Sequence, residues 1–187
     1  MKRSLLLALW IALLPIAAWA HPGHGESGFV NGVMHPFSGL DHVLGMLAVG
    51  VWASRNSGYR RWFAPAAFLG GMLAGGVMGL GGMVPGFIES AVAASVVAAA
   101  LLVVLAVRMP LLAQGGVALF FAIWHGIAHG AELPAMSAPI SYACGFIAAT
   151  AVLLASGLIL GRQLQRHNRD RWLGAGMLAL AVPLFWL

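Results

Sequence analysis

Apolar runs, broken by short polar or glycine- and proline-bearing stretches, make up most of this chain. A short first run at 5–18 is followed by six longer ones, roughly 29–54, 63–80, 87–107, 111–129, 139–161 and 172–187. Breakers at 55–61, 82–86, 109–110, 133–138 and 162–171 separate them. A helix needs about 17–25 predominantly apolar residues to cross a hydrocarbon core of about 30 Å. The pattern therefore predicts an all-α integral membrane bundle of six transmembrane helices, the last of marginal length.

Composition agrees. Of 187 residues, 61% are hydrophobic and 8% charged, whereas a soluble domain is about 45–50% apolar and about 25% charged. The mean hydropathy is +0.91. Neither a soluble domain nor a disordered chain fits. Lys2 and Arg3, the short apolar run and Ala18-Trp19-Ala20 read as a cleavable signal peptide over residues 1–20. Residues 21–187 then form the transmembrane domain, its new N-terminus His21-Pro22-Gly23-His24 on the outer, periplasmic side of a bacterial inner membrane.

Charge orients the spans. From an outer N-terminus, Arg55, Arg60, Arg61, Arg108, Arg162, Arg166, Arg169 and Arg171 all fall on the inner side, and no Lys or Arg falls in an outer loop. The positive-inside rule demands this bias. The net charge of +5 thus reports membrane orientation rather than a nucleic-acid partner. The single Cys144 forms no intramolecular disulfide. Gly71, Gly75 and Gly79 repeat on one helix face, which reads as close helix packing. Pro65, Phe68 and Gly71 align at constant offset with Pro139, Tyr142 and Gly145, a faint echo between spans two and five of the kind an inverted repeat leaves.

Ionisable groups within apolar runs carry the chemistry, because a charged side chain at mid-membrane costs about 2.5–3.5 kcal/mol on insertion scales. Span one holds His35-Pro36-Phe37-Ser38-Gly39-Leu40-Asp41-His42. A helix running through it puts His35 and His42 on one face; alternatively Pro36 opens a helix, with His35 just before it. Span four holds His125, His129 and Glu132 at i, i+4 and i+7, one stripe of a helix. Glu89 sits at the outer end of span three. The topology brings these groups to the outer half of the bundle, with no buried Lys or Arg to neutralise them. A divalent cation is the natural counterion, and imidazole with carboxylate suits nickel, cobalt, zinc or iron. Ligation needs neutral imidazole, so binding should weaken as pH falls below about 6.5.

His21 and His24 read equally as an outer collection point for metal or as a polar tail beside the cleavage site, and Pro22 lacks the N–H that amide-nitrogen chelation requires. Met34, Met46, Met72, Met78 and Met83 offer thioethers to copper(I), but read better as gap-fillers.

His35-Pro36-Phe37 with Gly39 and Asp41-His42, the later Gly50-Val51-Trp52-Ala53, and His125-Gly126-Ile127-Ala128-His129-Gly130-Ala131-Glu132 resemble the HupE/UreJ family across essentially the whole chain. The resemblance implies a secondary permease for nickel, in some members cobalt, found beside bacterial hydrogenase or urease systems. It implies transport roles for His35, Asp41, His42, Glu89, His125, His129 and Glu132. No phosphate-binding G-x-x-x-x-G-K-[ST] signature is present, so transport without nucleotide hydrolysis is expected, with no permanently bound cofactor and no enzymatic activity. The rival reading is a membrane metal-binding component that delivers metal without translocating it. A metal-dependent hydrolase is a third, but the order His-x₃-His-x₂-Glu is not the H-E-x-x-H motif.

Overall fold

A computed structural model describes residues 28–133 and 138–186, all of whose regular structure is helical. The expected signal peptide, together with His21 and His24, lies outside the described residues.

The helices are α1 (Gly28–Met34), α2 (Leu40–Ala53), α3 (Phe63–Leu80), α4 (Ile88–Val104), α5 (Leu111–Ala131), α6 (Pro139–Gln165) and α7 (Asp170–Ala181). Short 3₁₀ turns occupy His35–Phe37, Gly58–Trp62 and Val182–Trp186. With its leading turn, α3 is long and apolar enough to cross a membrane, as are α5 and α6; α2 and α4 are shorter apolar helices.

The first expected span is interrupted. Pro36 brings no N–H to the ladder, and Gly39 is extended at φ −111°, ψ 131°. The His35 carbonyl instead accepts the Ser38 backbone N–H at 2.9 Å and the Ser38 hydroxyl at 2.6 Å. The helix resumes at Leu40, with Asp41 in its first turn. The last expected span is also cut short: α7 ends at Ala181, and Pro183 lies in the 3₁₀ turn that follows.

Small residues decide the packing. Gly71, Gly75 and Gly79 lie against Leu119, Ile123 and Ile127 in rising order, so α3 and α5 run parallel and in intimate contact. A Cβ on Gly75 would stand 3.0 Å from the Gly126 Cα. Both pieces of the broken first span pack on α6 in the same fashion. Gly32 and Gly145 bring α1 onto it, and Gly50 and Gly157 bring α2. These contacts also rise together, so this second pair is parallel too. Each pair thus joins one helix of the first half of the chain to one of the second.

Met46, Val49, Val51, Trp52, Phe68, Val96, Val103 and Leu154 fill the core at 0–2% exposure. Polar ties link the helices at the end bearing Arg55. Arg55 pairs with Asp170 and donates to the Val103 carbonyl. The Trp52 indole donates to the Val107 carbonyl at 2.9 Å, the Asn56 amide to Gln114, and the Gln165 amide to the Ser54 hydroxyl at 2.7 Å.

Candidate metal centre

At the opposite end, the break at 35–39 meets the last turn of α5. The His35 Nε2 lies 2.9 Å from the His129 Nδ1. Glu132, just past the end of α5, places its Oε2 3.3 Å from the His35 Nε2 and 3.7 Å from the His129 Nδ1. The His42 ring stacks edge-on to His129 with centroids 4.1 Å apart, and its Nδ1 is 2.6 Å from the Asp41 Oδ1. One ligand atom from each of His35, His42 and His129 lies within 4.8 Å of the other two. Metal–imidazole bonds of about 2.0–2.1 Å allow two nitrogens on one ion to stand at most about 4.2 Å apart. Small side-chain adjustments would therefore bring all three onto one ion, with Asp41 and Glu132 as adjacent carboxylates.

The surroundings set the chemistry. His129 is 4% exposed, whereas the Glu132 side chain is more than half exposed. The neighbouring His129 and His35 rings hold the Glu132 carboxyl well below the usual carboxylate range. Phe146 of α6 covers His129 at 4.5 Å between centroids, and Tyr142 lies 5.8 Å from His35. The result is a donor cluster with one wetter carboxylate edge and an aromatic wall.

Not every expected residue joins it. His125, completely buried one turn deeper on α5, contacts the His42 ring at 5.7 Å and the Ser95 hydroxyl of α4 at 2.8 Å. Glu89 is exposed in the first turn of α4, with no hydrogen bond or ion pair to the histidines. The part of α4 that reaches the histidines is Ser95. Sequence reasoning missed Ser95, Tyr142 and Phe146 as site residues. A hydroxyl in the apolar run 87–107 was the available signal for the first; the aromatics carried none that separates a wall from ordinary packing. Gly126 and Gly130 seat against Met72, Gly76 and Leu80 of α3.

The family described as HupE / UreJ protein matches residues 9–184 of this chain. A relative from Rhizobium leguminosarum bv. viciae, Protein HupE, is 43% identical over 159 residues, covering 84% of this chain and 83% of the relative. No solved structure matches the chain.

Proposed function

The chain belongs to the HupE/UreJ family, and from that premise we propose that this multi-pass membrane protein takes up a divalent transition metal, nickel first and cobalt second, without nucleotide hydrolysis. The observation that carries the reading is the convergence of His35, His42 and His129 within 4.8 Å, flanked by two carboxylates. Among the described residues Asp41 and Glu132 meet only imidazoles, with no Lys or Arg to balance their charge; a cation supplies the missing charge.

The proposed route begins with a hydrated ion drawn to Glu89 and Glu132 at the outer mouth. Glu132 touches both His35 and His129, so these imidazoles are the first to replace water. The ion then passes to His42, whose partner Asp41 compensates its charge. His35 stands at the level of Glu132, while His125 is the most buried of the set. Inward release needs spans one and four, which carry the histidines, to rearrange. A bacterial inner-membrane location, six spans with a periplasmic N-terminus, and supply of metal to hydrogenase or urease maturation complete the proposal.

Radiometal uptake by proteoliposomes tests it. Ni²⁺ should accumulate inside, Co²⁺ should compete better than Zn²⁺ or Cu²⁺, and His129→Ala or Asp41→Ala should abolish uptake at unchanged membrane abundance. Binding without accumulation would instead make the protein a delivery component. Wild-type uptake by both variants would remove the site altogether.

A further inference from the structure

Ser95 and His125 meet in the core, 4% and 1% exposed, away from the outer mouth. The Ser95 Oγ lies 2.7 Å from the Val92 carbonyl oxygen and 2.8 Å from the His125 Nε2. A hydroxyl has one hydrogen, and a carbonyl can only accept. The hydrogen of Ser95 therefore goes to Val92, and its oxygen accepts from His125. His125 must carry its hydrogen on Nε2, which leaves the lone pair of the neutral ring on Nδ1. That Nδ1 is buried and has no hydrogen-bond partner. In the reverse arrangement, a buried Nδ1–H would be an orphaned donor, and the Val92 carbonyl would lose its hydroxyl.

That bare lone pair belongs to a ring packed edge-on to His42, with centroids 5.7 Å apart. We propose that Ser95 is a positioning residue that locks His125 in the Nε2-protonated tautomer, so that Nδ1 serves as an inner metal ligand that receives the ion from His42. This rests on the reading of the His35–His42–His129 cluster as a metal site. It adds a second station, about 6 Å deeper by the rise of one helical turn from His129 to His125. Metal-binding histidines are commonly held by a partner on the other ring nitrogen, which fixes both tautomer and ring orientation. Ser95 supplies that partner from α4, a helix that gives the cluster none of its three histidines.

The test uses the whole chain in lipid nanodiscs with ¹⁵N-labelled imidazoles. Without added metal, the wild-type His125 should show a protonated Nε2 and a bare Nδ1, and Zn²⁺ should shift the Nδ1 resonance. In Ser95→Ala the tautomers should interchange, and Ni²⁺ uptake into proteoliposomes should fall about 10–100-fold, the usual cost of losing such a partner. Calorimetric Ni²⁺ binding at the outer cluster should survive in the same variant, and Ser95→Thr, which keeps the hydroxyl, should restore uptake. A wild-type His125 protonated on Nδ1, an Nδ1 resonance indifferent to Zn²⁺, or Ser95→Ala transporting at the wild-type rate overturns the proposal while leaving the outer site standing. Absence of any Ni²⁺ binding by the wild type, with His129→Ala indistinguishable from it, overturns the metal reading and this proposal together. If Ser95→Ala does not fold, the wild-type tautomer and the Ser95→Thr variant decide.

Discussion

His35 and His129 are 94 positions apart in the chain, yet their Nε2 and Nδ1 atoms stand 2.9 Å from one another. The two histidines sit on different spans, and the helix break and the last turn of α5 bring them together. The Glu132 Oε2 then closes a triangle with both nitrogens.

In the proposed route, that triangle makes Glu132 an electrostatic capture group as well as a ligand. Hydrogen bonds to a charged group contribute about 1.5–3 kcal/mol. Glu132→Gln, which keeps the shape and removes the charge, should therefore raise the KM for Ni²⁺ uptake about 10- to 150-fold. The maximal rate should change less. Initial-rate radiometal uptake reads this directly, and an unchanged KM would remove Glu132 from the capture step.

Gly39 tests the site without testing the fold. A Cβ there would meet the Asp41 Oδ1 and, at 2.9 Å, the His42 Nδ1. Its extended backbone suits any residue, so Gly39→Ala should fold normally and displace only the carboxylate–imidazole pair. Thermal unfolding in detergent should match the wild type while Ni²⁺ affinity drops. Equal affinity would mean that Asp41 and His42 adjust at no cost.

Helix packing makes a paired prediction. Gly75→Ala drives a methyl into the Ile123 carbonyl and to 3.0 Å from the Gly126 Cα, whereas Gly70→Ala on the same helix meets nothing within 4 Å. Overpacking a tight contact costs about 1–3 kcal/mol, so Gly75→Ala should lower the detergent Tm by several degrees and Gly70→Ala should not. Equal Tm values would show that α3 and α5 are not held at this distance.

The far end has its own weak point. The Arg55 and Asp170 side chains are 12% and 7% exposed. Removing one partner of a buried pair costs about 3–5 kcal/mol, while replacing both by apolar residues is often neutral. Asp170→Ala should reduce membrane abundance and Tm sharply, and the double change Arg55→Met with Asp170→Leu should recover most of both. Full stability of the single variant would show that water reaches the pair.

Much of this was readable from the chain. The run at 63–80 and the start of α5 at Leu111 coincide with the helices found, because continuous apolarity and proline punctuation report local structure. The stripe of His125, His129 and Glu132 was legible for the same reason: helical periodicity places i, i+4 and i+7 together. The break after Met34 was only half legible, since Pro36 suits both a helix start and an interruption. The meeting of His35 with His129 and the partner of His125 depend on which helices pack together, and no periodicity within a single span contains that information. Ser95 is one hydroxyl among alanines and valines, and Glu89 one carboxylate near a helix start. Neither has a spacing that distinguishes a contact with the histidines from its absence.

The interruption at residues 35–39 is splinted. Gly32 and Gly145 anchor the piece before it to α6, and Gly50 and Gly157 anchor the piece after it to the same helix. The stretch bearing the first histidine is thereby released from a continuous helical ladder but pinned at both flanks. On the proposed metal reading, donors on a short stretch between two fixed anchors would close around ions of slightly different radius without moving the helices. A soft preference among neighbouring metals, rather than a strict choice of one, is what such compliance produces.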